Sequence, residues 1–191
     1  MATVTGASGT DRRPSPLGVG VVVWLASELM FFSGLFAAYF TLRASNHPWP
    51  PSDVELATGR TAVATVVLIS SSYTMHLASR AASANKRATA VRWLAITGLM
   101  GVAFLSNQLL DYIDPPFTIS SNAYGSIFYL MTGFHGLHVI GGLLFMVAVS
   151  AAIVGRTSRA PAHQTLEVCA YYWHFVDVVW IAMFLTIFVL K

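Results

Sequence analysis

Apolar residues in this chain come in long blocks divided by short polar, proline-bearing connections. Five such blocks stand out, at 17–42, 57–79, 91–110, 124–154 and 168–190. Each reaches the ~20 residues that a helix needs to cross the hydrocarbon of a bilayer. The fourth exceeds that length, so it is expected to tilt or to extend past the bilayer. Short alternating segments of the barrel type are missing, and helices are the other backbone form that leaves no unpaired amide in lipid. The pattern therefore predicts an all-α, polytopic membrane protein, a bundle of five transmembrane helices. Residues 1–16 are polar, carry Pro14 and Pro16, and read as a mobile cytoplasmic tail. Residues 17–191 then form one transmembrane domain. Arg12 and Arg13 before an apolar block suggest an export signal. The block is about twice the length of a secretory core, however, and no small-residue cleavage site stands out, so it reads as an uncleaved span.

Composition agrees with the pattern. Of 191 residues, 55% are hydrophobic and only 10% charged, too few charges to cover a water-exposed surface. The lone cysteine, Cys169, excludes an internal disulfide. The charges sort by side. Arg12, Arg13, Arg80, Lys86, Arg87, Arg92, Arg156 and Arg159 fall on the side of the N-terminus, against Arg43, Arg60 and Lys191 on the other. Asp53, Glu55, Asp111 and Asp114 occupy the opposite connections. This bias places the N-terminus in the cytoplasm and the C-terminus outside. It also accounts for the net charge of +3, and no soluble domain is left to present a nucleic-acid surface.

The informative residues are those that hydrocarbon should reject. Glu28 lies deep in the first block and Asp177 deep in the fifth. A charge at such depth costs at least ~2.5–3.5 kcal/mol on insertion scales, so both carboxyls are expected to face the bundle interior, water or a partner. Leu29, Met30, Phe31 and Phe32 offer Glu28 no local partner. Asp177 has His174 three residues before it on the same face. His135 and His138 share a face of the fourth block, bracketed by Gly133 and Gly136 and followed by Gly141 and Gly142. Small residues let helices approach closely, which would let these imidazoles reach a carbonyl or carboxylate on a neighbour. A metal would need further ligands. Only His76 and His174 remain in the spans, without the Glu-x-x-His pairs of a di-iron bundle. The histidines therefore read as packing, lipid or subunit contacts. Ser70, Ser71 and Ser72 suggest a helix contact. The connections HPWPPSD (47–53) and DYIDPPFTIS (111–120) are stiffened by proline, and Trp49 suits the headgroup level.

Taken together, SELMFFSG (27–34), WPP (49–51), PFTIS (116–120), YGSIFY (124–129), TGFHGLHVIGG (132–142) and YYWHFVDVVW (171–180) resemble subunit III of the haem-copper terminal oxidases. Larger members of that family have seven spans, and this chain resembles their last five. The resemblance implies a non-catalytic subunit, with no catalytic, cofactor or metal residues of its own, that packs directly on subunit I beside subunit II. Haem a, haem a3 and copper would lie in partner subunits. The complex would be an aa3-type cytochrome c oxidase that reduces dioxygen to water and pumps protons, and a cytochrome bc complex is a candidate neighbour in a supercomplex. It implies proton-uptake or structural roles for the carboxylates Glu28, Asp177 and Glu167. It also implies phospholipid or subunit contacts at His135, His138, Trp173, His174 and Trp49. Asp111 stands where the family often has glutamate. A quinol oxidase subunit III is the alternative within the family. From a different class, the alternative is a small proton channel or transporter using Glu28 and Asp177, which would favour broken helices and inverted repeats that the sequence lacks.

Overall fold

The computed structural model describes residues 16–52, 54, 56–113, 117–155 and 161–190. The expected polar tail lies outside these residues except at its last position, where Pro16 already opens a helix. Arg12, Arg13, Arg156, Arg159, Lys191, Asp53, Glu55 and Asp114 also lie outside them.

Among the described residues, five α-helices follow one another: α1 (Pro16–Ser45), α2 (Thr58–Ser83), α3 (Arg87–Ile113), α4 (Ala123–Gly155) and α5 (Ala162–Phe184), the last continued by a wider π turn at Leu185–Val189. All five are long and apolar enough to cross a membrane, and no strand occurs among the described residues. The helices match the five apolar blocks but run past them at most ends. Polar residues such as Ser83, Arg87 and Asp111 continue a helix into the interfacial layer, beyond the apolar stretch that the hydrocarbon itself requires.

Helices α2, α3, α4 and α5 close a ring, each packed on the next and α5 packed back on α2. Helix α1 stands outside this ring in the groove between α4 and α5. Among its described side chains the large buried apolar ones are Val21, Phe32 and Tyr39, whereas Val22, Val23 and Met30 are widely exposed. Those side chains would lie against lipid or another protein, which costs nothing in hydrocarbon.

At the centre of the ring stands Trp173 of α5, fully buried. Its indole Nε1 donates to Ser71 Oγ on α2 at 2.8 Å. A Cβ on Gly101 of α3 would sit 2.7 Å from this ring, and one on Gly142 of α4 would sit 2.8 Å from it. Two glycines on two helices thus make the slot that one indole fills. Two turns further along α5, the Trp180 Nε1 donates to Thr65 Oγ1 of α2 at 2.9 Å. At the far end of α5, Thr186 offers its carbonyl to the Tyr39 hydroxyl at 3.1 Å, and Tyr39 in turn accepts from Trp49 Nε1 at 3.1 Å. Trp49, expected at the headgroup level, therefore points its N–H inward, half-buried against Tyr39 and Tyr124.

The slot gives a direct test. Gly142→Ala or Gly101→Ala should destabilise the bundle by about 1–3 kcal/mol, the usual penalty for overpacking. Gly34→Ala, with nothing within 4 Å of its new methyl, should not destabilise it. Thermal unfolding in detergent, followed by tryptophan fluorescence, would separate the two. Equal melting temperatures would mean that Trp173 can move aside.

Candidate functional site

Two of the polar contacts between helices hold the carboxyl groups that lie deep in the spans. The first joins α1 to α4. Glu28 Oε2 lies 3.0 Å from His138 Nε2, and Trp24 Nε1, one turn earlier on α1, donates to Glu28 Oε1 at 3.1 Å. Glu28 thus has the local partner that its downstream neighbours could not supply, because a tryptophan four residues before it shares its helix face. On the other side of the imidazole, His138 Nδ1 lies 2.7 Å from the Phe134 carbonyl oxygen. A carbonyl only accepts, so Nδ1 carries a proton. The contact between Nε2 and Oε2 then holds one more proton. With that proton on nitrogen the pair is an ion pair, and with it on oxygen both groups are neutral. Either way the bridge carries no net charge, which is what a site facing hydrocarbon requires. Phe31 and Phe32 flank the imidazole, and the Tyr172 hydroxyl donates to the His138 carbonyl at 3.0 Å. Trp24 stacks on Tyr172 with ring centroids 5.1 Å apart.

The second contact joins α2 to α5. Ser72 Oγ lies 2.9 Å from His174 Nδ1 and is also bonded to Asp177 Oδ2. The expected face-sharing of His174 and Asp177 is present, but a serine from another helix links them. A hydroxyl has one hydrogen to give. If Ser72 donates to Asp177, His174 Nδ1 must be the donor to Ser72; if Asp177 donates, the order reverses along the whole relay. Asp177 is buried, and its Oδ1 has no partner among the described residues. Of the three serines expected at a helix contact, Ser71 and Ser72 make one, while exposed Ser70 bonds back to its own helix at Val66 O.

The two histidines of α4 part company. Their spacing suggests a shared face, yet His138 turns toward α1 and His135 turns into the ring, where it is fully buried. Among the described residues neither His135 nitrogen has a partner, although an unpaired buried polar group costs about 1–3 kcal/mol. The ring lies on Trp180 at 4.9 Å and edge-on to Phe104 at 6.0 Å, contacts of the kind worth about 0.5–1.5 kcal/mol between aromatics. Beside these aromatics, Gln108 of α3 donates to the Thr132 carbonyl at 2.5 Å and Tyr112 shares a hydrogen with Thr132 Oγ1 at 2.6 Å. This α3–α4 knot escaped the sequence reading, though Gln108 is a polar residue within the third apolar block. Glu167 is exposed and accepts from Tyr171 at 3.0 Å. At the other end of the bundle, Arg60 of α2 pairs with Asp111 of α3. Among the described residues, no three His, Cys, Asp or Glu side chains gather as a metal would require.

Several stretches that carried the family resemblance meet in space. SELMFFSG supplies Glu28 and TGFHGLHVIGG supplies His138. WPP meets YGSIFY where Trp49 packs on Tyr124, and Phe117 of PFTIS packs on Tyr124, Phe128 and Tyr129. A family model described as cytochrome c oxidase subunit III matches residues 2–191. The chain belongs to the cytochrome c oxidase subunit III family. A probable cytochrome c oxidase subunit 3 of Mycobacterium leprae strain TN is 47% identical, covering all of both chains. The cytochrome c oxidase subunit 3 of Corynebacterium diphtheriae is 41% identical over 94% of this chain and 91% of that protein. That of Synechocystis is 39% identical over 96% of this chain and 80% of that protein. Membership in the subunit III family makes the chain a membrane-embedded part of an oxidase complex, associated with other oxidase subunits.

The α1–α4 bridge predicts an asymmetry between substitutions. Glu28→Gln keeps a group that can donate to His138 Nε2 and should leave α1 docked. Glu28→Ala removes it and should lower the protection of α1 amides by about 1 kcal/mol, the net worth of such a bond at a largely buried position. Hydrogen exchange read helix by helix would show this, and equal exchange in both variants would assign the docking to packing alone.

Proposed function

We propose that the chain is the non-catalytic subunit III of an aa3-type cytochrome c oxidase, which reduces dioxygen to water and pumps protons. Haem a, haem a3 and copper belong to its partner subunits in this reading. The chain packs on subunit I, beside subunit II, and supports proton uptake, lipid binding and the stability of subunit I. The observation that carries the reading is similarity, over nearly the whole chain, to relatives named cytochrome c oxidase subunit 3. Geometry adds a second support. The polar groups Glu28, His138, Ser72, His174 and Asp177 are spent on contacts between helices, as expected of a chain that holds its shape beside a catalytic partner. The N-terminus is cytoplasmic and the C-terminus outside in a bacterial plasma membrane, a placement supported by eight cations on one side against three on the other. Residues 17–191 act as one transmembrane domain.

The test is a reduced-minus-oxidised optical spectrum of the complex drawn from gentle detergent by a tag on this chain. A haem a band is expected, and copurifying haem c would add a cytochrome c branch. Haem b or o without a or c would replace the reading with a quinol oxidase, and an intact preparation without haem would replace it with a transporter. In the same preparation, Glu28→Gln should leave the haem bands unchanged and shorten the period of sustained turnover. Undiminished activity through prolonged turnover would remove Glu28 from proton delivery.

A further inference from the structure

A cavity of about 10 Å³ lies inside the ring, toward the end of the bundle that carries Arg60 and Asp111. Thr61 of α2, Phe104, Asn107, Gln108 and Asp111 of α3 and Trp180 of α5 are among the side chains that line it. Its size is that of a single water molecule. We propose that this cavity binds one ordered water, which donates a hydrogen bond to Gln108 Oε1 and completes the α3–α4 knot of Gln108, Tyr112 and Thr132.

The knot has an acceptor it cannot satisfy by itself. Gln108 is buried, and its Oε1 has no partner among the described residues. Both hydrogens of its amide nitrogen are spent, on the Thr132 carbonyl at 2.5 Å and on the Tyr112 hydroxyl oxygen at 3.3 Å. The Thr132 hydroxyl lies 2.7 Å from the Phe128 carbonyl, which only accepts, so Thr132 donates there and Tyr112 donates to Thr132. No hydrogen in the knot is left for Oε1. Turning the amide over would set Oε1 against the Thr132 carbonyl, acceptor on acceptor, so the amide keeps its present sense. It lies close on α4, where a Cβ on Gly136 would sit 3.3 Å from Nε2 and 3.7 Å from Oε1.

Buried amide oxygens are rarely left without a donor, and the donor here has to be small and to come from an aqueous face. Asp111 lines the cavity two residues before the end of α3 at Ile113, and the side chain of its partner Arg60 is 44% exposed. Gln108 lies one turn further in, roughly 5 Å along the axis. Water arriving beside that ion pair meets polar groups as far as Oε1. Asn107 and Asp111 line the same cavity and can take its second hydrogen, so the several polar partners that a buried water needs are present. Lipid cannot serve, because acyl chains carry no donor. A metal cation fits poorly, since Arg60 already neutralises Asp111 and no three acidic, histidine or cysteine groups converge among the described residues.

The test uses the complex drawn from gentle detergent by a tag on this chain. Brief X-ray radiolysis in heavy-oxygen water marks side chains that lie next to bound water, and mass spectrometry reads the mark residue by residue. Trp180 and Trp173 are both buried on α5, and of the two Trp180 lines the cavity. Trp180 should therefore be marked severalfold more than Trp173. Gln108→Met, which keeps the length of the side chain and removes the acceptor, should bring Trp180 down to the level of Trp173 and leave Trp173 unchanged. Equal marking of the two indoles in the unmodified complex, or marking of Trp180 that survives Gln108→Met, would overturn the proposal. A density map of the unmodified complex fine enough to show ordered water needs no variant. It should hold a peak about 2.7–3.0 Å from Gln108 Oε1, and a clear map without one would also overturn the proposal. The outcome does not depend on whether haem copurifies, so it is separate from the oxidase reading.

Discussion

The seat of Trp173 is the contact on which the ring of α2, α3, α4 and α5 depends. In lipid, two apolar helices gain little by meeting, because the acyl chains they displace are as apolar as they are. Close packing and hydrogen bonds must supply the preference. Trp173 supplies both, since its six-membered ring lies close against the backbones at Gly101 and Gly142 while its N–H is taken by Ser71. One side chain of α5 therefore reads the positions of three other helices. Trp180 repeats half of the device against Thr65, and the pair sets the register of α5 along α2.

With that register in place, the polar groups fall where they can be neutralised. Ser72 follows Ser71 on α2, and His174 follows Trp173 on α5, so the seat that joins Ser71 to Trp173 brings the neighbouring pair within 2.9 Å as well. Asp177, one turn on, completes the relay. The bridge from Glu28 to His138 is arranged differently. It lies on the outer side of α4, between two helices that share little surface, and it needs Trp24 and the Phe134 carbonyl to fix which atoms carry protons. One relay is a by-product of tight packing, whereas the other substitutes for it.

The five spans were legible in the sequence because block length is a one-dimensional property, and the bilayer imposes it directly. Helix ends were less legible, since Pro16 starts a helix where a tail was expected and the polar ends of α2 and α3 extend theirs. Partners across the bundle were mostly out of reach. Glu28 was read against its downstream neighbours, but its local partner stands one turn upstream. The close spacing of His135 and His138 implied a common environment, yet an offset of three residues turns a helix by about 60° short of a full turn. In a bundle that narrow an angle separates the ring interior from the α1 groove. Ser72 was recognisable as a contact residue but not as the link between His174 and Asp177, which depends on rotation of α2 about its axis. The resemblance to subunit III named the right stretches. Only the fold explains why several go together, since SELMFFSG meets TGFHGLHVIGG, and WPP meets YGSIFY.

The same reasoning separates α1 from the rest of the molecule. It has no indole seated in it by a second helix, and few of its large apolar residues are buried. What ties it down is a proton-sharing pair near its middle and, toward its end, the chain of hydrogen bonds from Trp49 through Tyr39 to Thr186. Contacts of this kind hold an element at two points and leave its outer face uncommitted. In a chain that belongs to an oxidase complex, the outer face of α1, like the exposed apolar faces of the other helices, meets lipid or another subunit. The closed ring behind it is held by contacts of its own, and α1 rests on it at His138 and Phe134 of α4.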